Sequence, residues 1–261
     1  MLEDPEAIPQ LILWARQAGQ IALHYFKNVV PQHKPDQTLL TQADLAIEQF
    51  LAERIQAVYP GYPLIGEEER PASPDPSSPD AWVIDPIDGT TAFVQGLPGW
   101  GISIGLLYRG QPRFGLFYMP LLDDLTYTTP WGEVYCHERP LVGTVRREWE
   151  EKGFLAINAA AHYDFQINIQ HTRALGSIGA NLVYTARGGA VGAFVPKAYL
   201  WDLVAGAAIL SQAGGELRYL SGRGVDYLAL LDGRLAPEPI IACHPDLQAE
   251  LRAAIRPRGA P

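Results

Sequence analysis

The sequence predicts a layered α/β (α+β) protein. Three observations carry that prediction. Apolar residues recur at helical spacing near the start of the chain and again in its C-terminal third. A central block alternates apolar with small or polar residues at strand spacing. No internal repeat is visible.

The elements follow in order. Ile8, Leu11, Ile12, Ala15, Ala18 and Ala22 predict an amphipathic helix after Pro5. Thr41 reads as the N-cap of a second helix, with Asp44 three residues on. Its apolar face uses Ile47, Phe50, Leu51, Ile55 and Val58, and Tyr59-Pro60-Gly61 ends it. Residues 63–66 read as a short strand running into Glu67-Glu68-Glu69. Four prolines within residues 70–80 forbid helix and sheet, so this stretch reads as a surface loop. Residues 81–85 form an apolar strand ended by Asp85, after which Pro86 fixes a turn. Ile102, Ile104 and Leu106 alternate along another strand. Arg109-Gly110-Gln111-Pro112 then turns the chain into an antiparallel return at 114–119. Strands follow at 125–129 and 154–157, a helix at 178–187, a strand at 190–195, a helix at 201–213, and strands at 216–219 and 240–243.

Composition narrows the function. The chain has 261 residues, 48% of them apolar, enough to build a large core and to exclude wholesale disorder. It carries 29 acidic against 20 basic residues, a formal charge of −9. That balance excludes a dedicated nucleic-acid binder, which needs clustered Lys and Arg. No apolar stretch reaches membrane-spanning length, and the acidic N-terminus is unlike a secretory signal. Cys136 and Cys243 are the only cysteines and read as thiols of a reducing compartment, so a cytoplasmic location is expected.

The chemistry concentrates in Trp82-Val83-Ile84-Asp85-Pro86-Ile87-Asp88-Gly89-Thr90-Thr91. A strand delivers two carboxylates, Gly89 permits close backbone approach, and the threonines open a helical turn. Hard divalent cations take one or two carboxylates together with substrate phosphate. A helix N-terminus offers N–H groups to a phosphate. The pattern therefore predicts a metal-assisted phosphate site. Alone, D-x-x-D-G would read as a plain turn in which Asp88 caps Thr90 and Thr91. Asp202 alone would read as an ordinary helix N-cap. Two further acidic segments, Gly66-Glu67-Glu68 and Trp201-Asp202-Leu203-Val204-Ala205-Gly206, shift the balance toward the site.

These three segments, in this order and spacing, resemble the inositol monophosphatase family of magnesium-dependent, lithium-sensitive phosphatases. Lys34-x-Asp36 with Thr41-Gln42-Ala43-Asp44, then Gly176-Ser177 and Gly214-Gly215, extend the resemblance over nearly the whole chain. It implies a single domain over 1–261, an αβαβα sandwich of the sugar-phosphatase type. A half of about 1–140 carries most metal ligands, and a half of about 141–261 supplies Asp202. It implies two to three Mg2+ ions per site. Glu67, Asp85 and the Ile87 carbonyl would hold one, Asp85, Asp88 and Asp202 a second, and a third, weaker ion would sit near Glu67. Gly89, Thr90 and Thr91, beside Asp88, would receive the phosphate. Asp44 and Thr90 would orient and deprotonate the attacking water, helped by Glu68. The implied partners are a small-molecule phosphate ester and a second copy of the chain, with no nucleic acid or membrane.

The chain departs from the family's pattern at several positions. Ala92 stands where Asn is common and Gln95 where a basic residue is frequent. Val195 stands where the inositol phosphatases proper place a Glu that bonds inositol hydroxyls, and a site without that acceptor discriminates less among polyols. Lys197 reads either as a contact for a second anionic group or as a solvated lysine. Related members act on fructose 1,6-bisphosphate, histidinol phosphate or 3′-phosphoadenosine phosphates, and a largely non-catalytic binding relative is the other class of reading.

Three decoys fall away. Gly101-Ile102-Ser103-Ile104-Gly105 matches a hydrolase nucleophile elbow but is followed by a strand pair instead of a helix. The six histidines lack zinc-ligand spacing. Arg146-Arg147 is too short a basic run for nucleic acid.

Overall fold

The computed structural model describes residues 6–34, 38–68 and 80–259. The proposed loop at 70–80 (Asp80 apart) and Asp36 of the N-terminal motif lie outside the described residues. Helix α1 (Ala7–Tyr25) precedes a small antiparallel pair, β1 (Gln32–His33) and β2 (Leu39–Leu40), and helix α2 (Gln42–Val58). Strands β3 (Leu64–Ile65) and β4 (Ala81–Asp88) lead to the short helix α3 (Thr90–Val94). Five strands follow: β5 (Gly101–Tyr108), β6 (Gln111–Met119), β7 (Asp124–Thr128), β8 (Val134–Cys136) and β9 (Arg139–Pro140). Next come β10 (Leu155–Ile157), α4 (Ala161–Asp164), β11 (Phe165–Ile167), β12 (Thr172–Arg173), α5 (Ile178–Ala186), β13 (Gly192–Val195) and α6 (Leu200–Gln212). The described chain closes with β14 (Glu216–Tyr219), β15 (Ile240–Cys243), α7 (Gln248–Ala254) and β16 (Ile255–Pro257).

Strands β3 to β9 form one seven-stranded sheet in chain order, antiparallel except for the β3–β4 pair. A second sheet has the order β12-β10-β13-β15-β14. Helices α1 and α2 cover one face of the first sheet, burying Leu11, Trp14, Ile47 and Leu51 against Trp82 and Ile104. Helices α5 and α6 lie between the sheets, where Leu182, Leu203, Val204 and Leu210 meet Phe117, Ala193 and Ile240. Helix α7 closes the far face with Leu251 against Phe194 and Ile241. The layers are α, β, α, β, α, as the resemblance implies. Each fully buried Leu, Ile or Phe in these cores contributes about 1.5–3 kcal/mol. No helix among the described residues is long and apolar enough to cross a membrane.

Two local readings are corrected. The strand does not end at Asp85 in a turn at Pro86; β4 continues to Asp88. Asp85 pairs with Ser103 and Asp88 with Gly101, so one extra residue bulges on β4. Pro86 has no N–H to give to the ladder, and a bulge is where a sheet tolerates that. On α2, Val58 is exposed, while the carboxylates Asp44 and Glu48 occupy the buried stripe with Ile47, Leu51 and Ile55.

Two glycines seat the inner helix. Gly105 and Gly115 face each other on β5 and β6. A Cβ at 105 would lie 2.6 Å from Val204, and one at 115 would lie 2.8 Å from the carbonyl carbon of Ala205. The backbone of α6 therefore rests directly on the sheet, which fixes the height of Asp202 above β4. We predict that Gly115→Ala overpacks this contact and lowers stability by about 1–3 kcal/mol in urea unfolding. An unchanged midpoint would show that α6 is not seated there.

Candidate active site

The bulge of β4 presents Asp85 and Asp88 on neighbouring positions. Asp85 Oδ1 accepts the Ile87 N–H at 3.0 Å, across the bulge at Pro86. Asp88 does not cap Thr90 or Thr91. It accepts N–H bonds from Ile178 (3.2 Å) and Gly179 (2.5 Å) at the start of α5, ninety residues away. Ser177 caps that helix through the Ala180 N–H and adds its own hydrogen bond to Asp88. A carboxylate at a helix N-terminus is favoured by the unpaired N–H groups and the dipole. Asp202 sits in the first turn of α6, where its Oδ2 accepts the Tyr199 N–H at 2.6 Å. It is the inner acid of a capping box, with Tyr199 as the N-cap. Carboxylate oxygens of Asp85, Asp88 and Asp202 lie within 4.8 Å of one another.

A second acidic group adjoins the first. Lys34 Nζ donates to Glu67 at 2.7 Å and to Glu68 at 2.8 Å. Burial works against the ammonium, but the charges and hydrogen bonds of Glu67 and Glu68 more than offset it and hold its pKa above the ordinary value. Asp44 forms the expected capping box on α2, its Oδ2 accepting the Thr41 N–H (2.7 Å) and hydroxyl (2.6 Å). Its Oδ1 is buried with no hydrogen-bond partner among the described residues. No hydrogen bond joins Asp44 to Thr90; the Thr90 hydroxyl donates to the Ile87 carbonyl at 3.2 Å.

Gly89 turns the chain from β4 into α3 at φ +96°, a conformation glycine adopts without strain. A Cβ there would lie 2.9 Å from the Gly176 carbonyl oxygen, so the head of α3 abuts the head of α5 backbone to backbone. Thr91 is exposed at the first turn of α3. Lys197 is exposed between β13 and α6. Val195 is fully buried in the core between the sheets.

The electrostatics show unmet demand for positive charge. Burial pushes Asp44 up to about 6, against the pull of its Thr41 hydrogen bonds. Burial likewise raises Asp88 to about 6, against the Gly179, Ser177 and Ile178 hydrogen bonds. Glu68 rises to about 7 through burial and the adjacent Glu67 charge. Asp85 and Asp202 rise well above the carboxylate range through burial and their acidic neighbours. An all-oxygen donor set with a partnerless Asp44 oxygen fits a hard cation such as Mg2+. A second set, Asp124, Cys136 and His137, also converges. There Arg187 already donates to both oxygens of Asp124, at 2.5 and 2.7 Å, and supplies the counter-charge.

The sequence profile of the inositol monophosphatase family matches residues 5–257. The chain belongs to that family. It is a phosphatase of phosphate monoesters. It is 28% identical over 229 residues to the inositol-1-monophosphatase of Bacillus subtilis, covering 82% of this chain and 86% of that protein. It is 30% identical over 258 residues to the Nus factor SuhB of Pasteurella multocida, covering 93% of each. A solved IMPase/NADP phosphatase complexed with Mg2+ and phosphate superposes with a TM-score of 0.82 at 19% identity, covering 95% of each chain, and shares the fold.

The sequence reading singled out the acids but not all that holds them. Lys34 entered only as part of a motif, and Glu48, Ser177 and Gly179 were given no part in the site. Glu48 carried a signal, since it falls four residues after Asp44 on an otherwise apolar stripe. The α5 amides carried none, because backbone N–H groups have no sequence signature.

The raised carboxylate pKa values set a pH dependence. The folded protein holds protons on Asp44, Asp88 and Glu68 that the unfolded chain has already released, so folding is favoured at low pH and that contribution is lost progressively as pH rises from about 4 to about 7. We predict that metal-free protein loses thermal stability across this window and that Mg2+ restores it, with a larger Tm gain at the alkaline end. The slope should be shallower in Asp44→Asn. A Tm gain from Mg2+ that is independent of pH would contradict this.

Proposed function

We propose that the enzyme hydrolyses the phosphate monoester of a small polyol or sugar, an inositol monophosphate-like substrate, in a Mg2+-dependent reaction. The observation that carries this is the convergence of Asp85, Asp88 and Asp202 from two distant segments, in a chain of this family. In this reading Glu67, Asp85 and the Ile87 carbonyl would hold one ion and Asp85, Asp88 and Asp202 another, and a third, weaker ion would lie near Glu67. Bound there, Mg2+ supplies Lewis acidity that screens phosphoryl charge and lowers the pKa of water.

The chain's own groups do the positioning, which is most of what phosphoryl transfer requires. Gly89, Thr90 and Thr91 offer their N–H groups to the phosphate at the head of α3. Thr90 and Asp44 orient the water, and Asp44 Oδ1, which has no other partner, accepts its proton. Glu68, gripped by Lys34, supports this arrangement. Water oxygen bonds to phosphorus opposite the ester oxygen, the ester P–O bond breaks, the departing alkoxide takes a proton from solvent water, and Asp44 returns its proton to solvent. In this reading Lys197 meets a second anionic group on larger esters.

A second reading of the substrate rests on Val195. With this position inside the core and without a carboxylate, the site lacks one acceptor for polyol hydroxyls. That keeps fructose 1,6-bisphosphate, histidinol phosphate and 3′-phosphoadenosine phosphate as alternatives to inositol monophosphate. By family likeness we also propose lithium inhibition, a homodimer and a cytoplasmic location.

A phosphate-release screen over these esters, with and without Mg2+ and Li+, tests both readings. We expect Mg2+-dependent, Li+-sensitive release from at least one. No release from any ester would leave the non-catalytic binding role as the better reading. Asp88→Asn should cut the rate at least about a thousandfold, roughly 4 kcal/mol of barrier, with unchanged circular dichroism. Retained activity would remove Asp88 from the metal site.

A further inference from the structure

Helix α2 carries two acids on its buried stripe, one turn apart. Asp44 belongs to the site described above; Glu48 does not. Glu48 is only 2% exposed, on a face otherwise made of Ala43, Ile47, Leu51 and Ile55. A carboxylate in that position is costly unless hydrogen-bonded, and an apolar side chain would be the default. Its contacts show what it holds. Oε2 accepts the backbone N–H of Glu68 at 2.9 Å. The same carboxylate packs against the α-carbon of Gly66, where a Cβ would lie 2.5 Å from Cδ and 2.7 Å from Oε2. Glu48 therefore grips both ends of a three-residue segment whose middle member is Glu67.

The other supports of this segment are thin. Strand β3 is two residues long, pairing Leu64 with Trp82 and Ile65 with Val83, and the Trp82 N–H donates to the Pro63 carbonyl just before it. Lys34 holds the carboxylate ends of Glu67 and Glu68, and these are the groups a cation would compete for.

We propose that Glu48 is a positioning residue. By holding the Glu68 amide and the Gly66 α-carbon, it sets the Glu67 carboxylate where it completes a cation site with Asp85. It does not touch the substrate. The proposal rests on the reading of the acidic cluster as a cation-dependent phosphatase site.

The test uses the full chain and four variants, Glu48→Gln, Glu48→Asp, Glu48→Ala and Gly66→Ala. Three quantities are read: the Tm rise as a function of Mg2+ concentration, amide hydrogen exchange at Glu68, and kcat with Mg2+ half-saturation on the ester found in the screen. Glu48→Gln keeps an acceptor oxygen at the right reach and should behave like the parent. Glu48→Asp, one methylene short, and Glu48→Ala should exchange the Glu68 amide faster. Both should need about tenfold more Mg2+ for half-maximal stabilisation, with a smaller change in kcat at saturating Mg2+. Gly66→Ala should do the same by displacing the carboxylate. Unchanged Mg2+ half-saturation in Glu48→Asp and Glu48→Ala would overturn the proposal, as would a Glu48→Gln variant as impaired as Glu48→Ala. Should Glu48→Ala not fold, Glu48→Asp and Gly66→Ala decide. Should the parent release no phosphate from any ester, the phosphatase reading fails, while Mg2+-induced stabilisation and amide exchange still judge Glu48.

Discussion

Buried negative charge is the constraint on which the rest of this structure depends. Asp85, Asp88 and Asp202 bring carboxylate oxygens within 4.8 Å of one another, where two unit charges repel by roughly 3 kcal/mol or more at an effective dielectric of about 20. Glu67 adds to the same field. Each acid is therefore anchored by a donor fixed to a rigid element. Asp85 has the Ile87 amide of its own bulge, Asp88 the first amides of α5, and Asp202 the amide before α6. Asp44 has Thr41, and Glu67 and Glu68 share Lys34. These donors reduce the repulsion without cancelling it, and the remaining demand is what a divalent cation meets.

The layers serve the same end. The first sheet supplies the bulge, and the helical layer between the sheets supplies both amide anchors and Asp202. Close packing transmits position from one to the other. Gly105 and Gly115 let α6 rest on the sheet, and Gly206 lets α5 rest on α6, since a Cβ at 206 would lie 2.5 Å from Leu182. Gly89 and Gly176 then bring the heads of α3 and α5 together. The small residues around Asp202 look unremarkable as a helix, yet they set how near its carboxylate comes to Asp85.

The two sides of the site are unequally specified. The side that handles phosphate and cation is dense with anchored groups. Of the two positions that bear on the proposed recognition of the alcohol, Lys197 is exposed and Val195 is buried.

The sequence by itself determined the long elements and the identity of the acids. Periodic apolar residues place α1, α2, β5, β6, α5 and α6 because burial of one face is a local pattern, and D-P-I-D-G-T-T is rare enough in spacing to be read directly. Short strands such as β8 and β16 and the one-turn helix α4 escaped, since a few residues hold no period. Only the tertiary structure decided what each acid touches. Asp88 reads as a metal ligand from the sequence, but that α5, ninety residues on, holds it is seen only in the fold. Asp85 reads as a strand end until pairing with β5 forces the bulge. Glu48 reads as one polar residue on a helix until Gly66 is found against it. In each case the partner is a backbone group brought near by packing of distant layers, and neither its identity nor its distance is encoded in neighbouring residues.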